Sequence, residues 1–214
     1  MRRRAGILLA YVDMLLVIVA ILIVSVSPRK VADGVHVEAE YMVSIEWPKE
    51  LDDDVDIFGI GPPDQSRPCF YKNLEAGALN LDRDSRGYLD DRIMVDGKPV
   101  YLPHHEVITI RGIVPGRYSF GVHEYQARET GVPRDPHHLG IVVHAEVTKI
   151  NPKVQTIFRH DFVLQFVGDA INIWSMDILP DGGFVPVDPP VEPIANRFYR
   201  IETTLNAAHP PTVP

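Results

Sequence analysis

Two patterns of hydrophobic and polar positions divide the chain. Residues 5–26 are almost uniformly apolar, and one charged residue, Asp13, lies inside the run. Roughly 20 apolar residues cross a hydrocarbon core about 30 Å thick, so the run predicts a transmembrane helix. A cleaved signal peptide is the alternative, but its apolar region would hold only about 7–15 residues, and residues 28–30 (Pro-Arg-Lys) are a poor cleavage context. The pattern favours an uncleaved anchor.

From residue 35 onward, apolar positions alternate with polar ones. In residues 35–47, VHVEAEYMVSIEW, every odd position is apolar or aromatic and most even positions are polar or charged. This period of two predicts a half-buried strand. Turn sequences such as Asp96-Gly97 separate further predicted strands, which are Val107–Ile113, Tyr118–Tyr125, Ile141–Ile150, Ile157–Val167, Asn172–Leu179 and Phe198–Leu205. Because convincing helical periodicity is missing after residue 30, an antiparallel sandwich or barrel is expected.

The predicted architecture is therefore a single N-terminal transmembrane helix joined to an all-β, antiparallel, sandwich-like extracytoplasmic domain. Residues 1–4 form a cytoplasmic start, residues 27–34 a linker and residues 35–185 the β-domain. The proline-rich residues 186–214 are expected to hold one late strand and a tail. Three arginines directly before the apolar run predict a cytoplasmic N-terminus. The protein is thus expected in a bacterial inner membrane, with its β-domain in the periplasm.

Charge and cysteine content narrow the function. The formal net charge is −8, and residues 31–214 contain 28 acidic and 16 basic residues. Such an acidic domain repels phosphates, which argues against binding to nucleic acid. Cys69 is the only cysteine, so an internal disulfide is excluded and a buried thiol is expected. The sequence has no nucleophile elbow, phosphate-binding loop or dinucleotide-binding motif, so we do not expect an enzyme.

Asp13 is the most unusual residue of the apolar run. A carboxylate at the depth of a membrane costs at least about 2.5–3.5 kcal/mol on insertion scales, so such residues usually face a protein interior or a water path. The spacing of three and four residues places it on one helical face with Leu16, Val17, Ala20 and Val24. The alternative is that the span begins near residue 14 and that Asp13 is an interfacial cap.

The sequence Tyr11-Val12-Asp13, followed by MLLVIVAILIVSVSP, resembles the membrane anchor of ExbD and TolR and is similar to that of MotB. This resemblance implies a proton-channel subunit of an ion-motive-force-driven motor. Asp13 would carry the proton, and Tyr11 would join the apolar face that contacts the partner helix. Two copies of the chain would lie inside a pentamer of a multi-span partner like ExbB, TolQ or MotA. The β-domain would transmit force or bind an unknown periplasmic target.

The β-pattern departs from that resemblance. ExbD and TolR have a small α+β periplasmic domain, and MotB has a peptidoglycan-binding domain, whereas this chain is predicted to be all-β. The second hypothesis is therefore a membrane-anchored binding module, for which the helix is only a tether. Residues 52–62, DDDVDIFGIGP, support this hypothesis because they resemble a motif of YfaP-like secreted β-sandwich domains.

An acidic segment offers a candidate metal site. In residues 82–91, DRDSRGYLDD, the residues Asp82, Asp84 and Asp91 form a D-x-D-x-x-G-x-x-x-D array. Alternating carboxylates can converge on a hard cation, and the glycine permits a tight turn, so calcium is the candidate ligand. The position where a calcium loop usually supplies an oxygen is occupied by Arg86, so solvated turn residues are the alternative. No other cofactor is expected.

Overall fold

The computed structural model describes residues 14–19, 39–127 and 140–198, in two compact units, residues 1–37 and residues 38–214. In the first unit, residues 14–19 are helical. Within the described ranges, no helix has the length and apolar character needed to cross a membrane.

This finding corrects the predicted architecture. In its described residues the structure shows an all-β antiparallel domain with only short helices and no membrane-spanning helix. Of the transmembrane helix predicted at residues 5–26, residues 5–13 and 20–26 lie outside the described ranges. The inner-membrane localisation with a periplasmic domain rested on that helix and is not supported. The prediction rested on hydropathy alone, which indicates which medium a run tolerates and does not by itself establish a membrane span.

The second unit contains twelve strands in the described residues. Their bounds are β1 (Ala39–Trp47), β2 (Asp53–Ile60), β3 (Glu75–Ala76), β4 (Leu79–Arg83), β5 (Arg92–Val95), β6 (Lys98–Tyr101), β7 (His104–Arg111), β8 (Gly116–Ala127), β9 (Ile141–Lys149), β10 (Gln155–Leu164), β11 (Ala170–Ile178) and β12 (Phe184–Pro186). A short helix, α1 (Tyr88–Asp91), precedes β5, and residues 194–198 are also helical.

The strands form two facing sheets and one separate hairpin. The six-stranded sheet has the order β10-β9-β1-β7-β4-β3, the four-stranded sheet has the order β12-β11-β8-β2, and β5 pairs with β6. Apolar side chains from both large sheets form one core, which includes Val43, Ile108, Phe120 and Met176. Burying such side chains stabilises a fold by about 25 cal/mol per Å² of apolar surface, so this shared core holds the sandwich together.

Most strands predicted from alternation are present. In β1 the odd positions Tyr41, Val43, Ile45 and Trp47 are buried, as the period of two indicates. The predicted strands at residues 107–113, 118–125, 141–150, 157–167 and 172–179 overlap β7 to β11. The late strand is not confirmed, because Phe198 ends the helical residues 194–198 and residues 199–205 lie outside the described ranges.

Strand β2 was missed because its sequence does not alternate. All eight residues, DDVDIFGI, are buried, since both faces of the strand are covered. Val55 and Ile57 face the main core, whereas Phe58 and Ile60 pack with residues 194–198 in a second apolar cluster. A strand buried on both sides lacks the polar face that makes alternation visible.

Hydrogen bonds hold the last described residues against the outer face of the four-stranded sheet. Asn172 donates from Nδ2 to the carbonyl oxygens of Pro190 (2.6 Å) and Glu192 (2.9 Å). Its Oδ1 accepts a hydrogen bond from the backbone of Ile194 at 2.9 Å. These bonds place residues 194–198 over β2, so β2 lies in the interior although it is the edge strand of its sheet.

Candidate functional site

Three carboxylates from distant parts of the sequence meet where β2 approaches the six-stranded sheet. They are Asp56 in β2, Asp84 in the segment after β4, and Glu106 in β7, and we call them the acid cluster. One oxygen from each lies within 4.8 Å of the others. Asp56 and Glu106 are buried and Asp84 is half-buried. The tertiary fold therefore brings three acidic groups together, two of them in a place of low solvent access.

Glu106 connects the two sheets at this point. It is 1% exposed, and its Oε2 accepts a hydrogen bond from the backbone N–H of Ile57 at 2.6 Å. Its Oε1 accepts a hydrogen bond from the backbone N–H of Ser85 at 3.2 Å. The first bond satisfies a donor on the open edge of β2, next to the pair of backbone bonds that Cys69 makes with Gly59. Glu106 thus closes an edge that would otherwise expose a backbone donor.

The environment of Glu106 favours its neutral form. Burial raises the pKa of Glu106 well above its ordinary value, and the negative charge of Asp56 raises it further. The hydrogen bond from Ile57 opposes these effects, while the carboxyl group of Asp84 adds to them. A proton or a cation at the cluster would relieve the repulsion among these groups.

Asp84 supplies the least satisfied atom of the cluster. Its Oδ1 is buried and has no hydrogen-bond partner. A buried carboxylate oxygen without a partner costs several kcal/mol, unless a proton or a metal ion occupies the adjacent space. Asp84 contacts Glu106. When both carboxyl groups are ionised, both are hydrogen-bond acceptors, so they can form a hydrogen bond with each other only if one of them is protonated.

A second buried network holds the segment that carries Asp84. Asp91, fully buried at the end of α1, forms an ion pair with Arg83, accepts a hydrogen bond from Ser85 Oγ and contacts His104 Nδ1 at 2.8 Å. The ring of His104 stacks on Trp47 with a centroid distance of 5.6 Å. Since Ser85 also binds Glu106 through its backbone, this network fixes the position of the acid cluster.

The same segment depends on a glycine. Gly87 has a φ of 64°, and a Cβ added there would lie 2.6 Å from Asp52 Oδ1. That Asp52 oxygen accepts a hydrogen bond from the backbone N–H of Tyr88 at 2.8 Å. Only glycine combines this left-handed conformation with so close an approach. The glycine of the predicted calcium loop therefore shapes the turn between Asp84 and α1.

The structure separates the three aspartates that the sequence grouped. Asp84 belongs to the acid cluster, whereas Asp91 is enclosed by Arg83, Ser85 and His104. Asp82 forms an ion pair with Arg111 and accepts a hydrogen bond from Thr109 Oγ1 at 2.6 Å. The linear array is therefore not one ligand set. Sequence spacing failed because β4 has a register shift between Leu81 and Arg83 and ends at Arg83, so Asp82 and Asp84 do not follow a regular strand repeat.

Sequence reasoning missed the other two members of the cluster. Asp56 lies inside the acidic DDDVD stretch. Glu106 occupies an even-numbered position of β7, as do the buried Ile108 and Ile110, so the alternation of the strand places it on the same face. A charged residue at an inward position of a strand is a signal for a buried site, and it was available in the sequence. No local pattern, however, indicates that β2 and β7 meet at these residues.

The residues predicted for the membrane site fall largely outside the described structure. Asp13, Tyr11, Ala20 and Val24 lie outside the described ranges. Leu16 and Val17 lie in the helical residues 14–19, where both side chains are exposed.

A groove of about 540 Å³ lies on another part of the sandwich, between β10, β11 and residues 186–189. Aromatic rings line it, with Phe158 and Trp174 at a centroid distance of 4.3 Å and His160 and Phe162 at 4.8 Å. None of the residues that line this groove belongs to the acid cluster.

Comparisons with known proteins assign no family. No family model matches the chain, and no curated protein matches it. One similar solved structure is the unknown-function protein SAV2460, with 17% identity, a TM-score of 0.45, and coverage of 72% of this chain and 89% of that one. Another is a homologue of telluride resistance protein (TerD), SCO6318 from Streptomyces coelicolor A3(2), with 13% identity, a TM-score of 0.42, and coverage of 71% and 89%.

These findings correct the predicted resemblance and function. No family model and no curated protein that matches the chain supports an ExbD-, TolR-, MotB- or YfaP-like assignment. The described residues also lack a helix able to cross a membrane. The interpretation of the chain as a proton-driven motor subunit, or as a module on a membrane anchor, is therefore withdrawn.

Proposed function

We propose that the β-domain is a divalent-cation-binding module and that Asp56, Asp84 and Glu106 are the protein ligands. The observation that carries the proposal is the convergence of three carboxylates from three segments around the unpartnered, buried Oδ1 of Asp84. Oxygen-only ligands favour a hard cation such as Ca²⁺ or Mg²⁺ over zinc, which prefers nitrogen and sulfur ligands.

Calcium is the favoured ion. Oxygens on opposite sides of a bound Ca²⁺ lie about 4.6–5.2 Å apart, given Ca–O distances of about 2.3–2.6 Å. The oxygens of the acid cluster lie within 4.8 Å of one another, close enough for all three to bind one such ion. Three carboxylates supply only part of the six to eight ligands that Ca²⁺ takes, so water and backbone oxygens would complete the shell. Magnesium demands a tighter octahedron, and direct comparison of the two ions tests this preference.

The position of the cluster indicates what binding would do. Its ligands belong to β2 of one sheet, β7 of the other sheet and the segment that leads into α1. A cation would therefore link both sheets and order residues 84–91. An ion that binds the folded state and not the unfolded chain stabilises the fold by mass action. We infer a calcium-stabilised binding module and assign it no catalytic step.

Calcium is expected to raise the melting temperature of the full chain. At a free calcium concentration 100 times the Kd, the linkage adds about 2.7 kcal/mol to the free energy of unfolding. For a chain of this size, that corresponds to roughly 5–10 °C. The measurement is thermal unfolding of EDTA-treated protein with increasing CaCl₂ and, in parallel, MgCl₂, followed by isothermal titration calorimetry to obtain Kd.

Two variants make the test specific. Asp84→Asn removes one ligand charge and should abolish most of the calcium-induced shift. Asp82→Asn is the matched control, because Asp82 lies two residues away but contacts Arg111 and Thr109 outside the cluster. It should retain the full shift. The proposal fails if neither ion stabilises the wild-type chain, or if both variants respond like the wild type.

A further inference from the structure

The hairpin formed by β5 and β6 exposes apolar side chains that the sandwich does not cover. Met94 is 63% exposed and Val95 46%, and Ile93 and Val100 are also exposed. Within the described residues, these two strands pair only with each other. A two-stranded hairpin is marginally stable by itself, and an unpaired strand edge with exposed apolar side chains favours pairing with another chain.

The hairpin has one open edge and one blocked edge. Its turn, Asp96-Gly97, has φ values of 50° and 74°, as in a two-residue type I′ turn. Such a turn makes Val95 and Lys98 a hydrogen-bonded pair, and the bond from Leu102 N–H to the carbonyl of Asp91 continues the same ladder. The backbone N–H and C=O of Met94 therefore face outward. Pro99 lies opposite Met94 on β6 and has no backbone N–H, so it cannot donate a hydrogen bond to another strand.

The open edge of β5 is complementary to itself. Residues 92–95 of the strand read Arg-Ile-Met-Val, and the turn begins with Asp96, so a cation lies at one end, an anion at the other and three apolar residues between them. If two copies run antiparallel with Met94 opposite Met94, each Ile93 faces a Val95 and each Arg92 lies next to the turn residue Asp96 of the other copy. Unlike charges and apolar side chains directly opposite one another stabilise an antiparallel pair.

We propose that two copies of this chain associate through their β5 edges, with Met94 on the two-fold axis, to form a continuous four-stranded sheet. The outward N–H and C=O groups of the two Met94 residues exchange hydrogen bonds, and Pro99 prevents the same pairing at β6. Closed two-fold symmetry limits the assembly to a dimer. The acidic domain repels copies of itself in general, so the charge pairing of Arg92 with Asp96 is what selects this register.

A cysteine placed on the symmetry axis tests the register. In a hydrogen-bonded antiparallel pair the Cα atoms lie about 5.5 Å apart, a distance that a disulfide spans. The full-length Met94→Cys protein should therefore form a disulfide-linked dimer under mild oxidation, detected by non-reducing electrophoresis. The native Cys69 is buried and does not compete. Val191→Cys, at a fully exposed position outside the hairpin, is the matched control and should remain largely monomeric.

Charge exchange in the Met94→Cys background identifies the partner as a second copy. Adding Arg92→Glu or Asp96→Lys places like charges opposite one another and should reduce the linked dimer about tenfold or more. Mixing the two proteins pairs unlike charges again and should restore the yield as a heterodimer. Equal yields for Met94→Cys and Val191→Cys, or no recovery on mixing, would overturn the proposal. Recovery on mixing cannot arise from a hairpin that has failed to fold.

Discussion

Replacing Asp91 with alanine is expected to lower the free energy of unfolding by about 3–5 kcal/mol, as when one partner of a buried ion pair is removed. Asp91 is completely buried; it forms an ion pair with Arg83 and also contacts Ser85 Oγ and His104 Nδ1. Its loss leaves the hydroxyl of Ser85 and Nδ1 of His104 without their acceptor in the protein interior, where each unsatisfied group costs about 1–3 kcal/mol. Urea unfolding in calcium-free buffer measures the change.

The neighbouring Asp90 supplies the control. Asp90 pairs with the exposed Arg86 at 2.9 Å, on the outside of α1. Exposed ion pairs contribute about 0–1 kcal/mol, so Asp90→Ala should change the stability by less than about 1 kcal/mol. If the two alanine variants lose similar amounts of stability, Asp91 is not the centre of the network that the structure shows.

The second large effect is a dependence of stability on pH that originates in the acid cluster. Without calcium, the free energy of unfolding should fall as the pH rises above the ordinary pKa of glutamate. The folded state holds a proton on Glu106, because burial and the charge of Asp56 raise its pKa, whereas the unfolded chain has already released it. Stability is then lost by about 1.4 kcal/mol per pH unit, until the pH passes the raised pKa of Glu106.

Glu106→Gln isolates this contribution. The amide cannot titrate, so the variant should lack the part of the pH dependence that Glu106 supplies. All other ionisable groups are the same in both proteins, so the difference between the two curves belongs to Glu106. Urea unfolding from pH 5 to 8 gives the curves, and parallel curves would show that Glu106 is ionised in the calcium-free protein.

Calcium should prevent the loss of stability at higher pH in the wild type but not in the Glu106→Gln variant. A bound cation stabilises the ionised carboxylates and displaces the proton, so the apparent affinity for calcium should increase with pH. The Glu106→Gln protein should bind calcium weakly at every pH. This behaviour separates a cation site from three acids that merely share a proton, because shared protonation predicts the same pH curve with and without calcium.

The structure separates the residues that the sequence grouped as a candidate calcium site, and the reason is physical. Asp82, Asp84 and Asp91 are close in sequence, yet strand geometry turns Asp82 toward Arg111, and α1 carries Asp91 into a buried network. Asp56 and Glu106 are 50 positions apart and meet only because β2 lies against the inner side of β7. Carboxylates that converge through sheet packing have no characteristic spacing.

The alternating sequence determined by itself that β1 and β7 to β11 are strands, because a strand with one buried face repeats every two residues. It also determined the Asp96-Gly97 turn, since few other pairs adopt positive φ at two successive positions. Tertiary structure alone decided the burial of β2 on both faces and the meeting of Asp56, Asp84 and Glu106. It alone also left the β5 edge open. Local propensity acts over a few residues, whereas these features depend on which distant surfaces pack together.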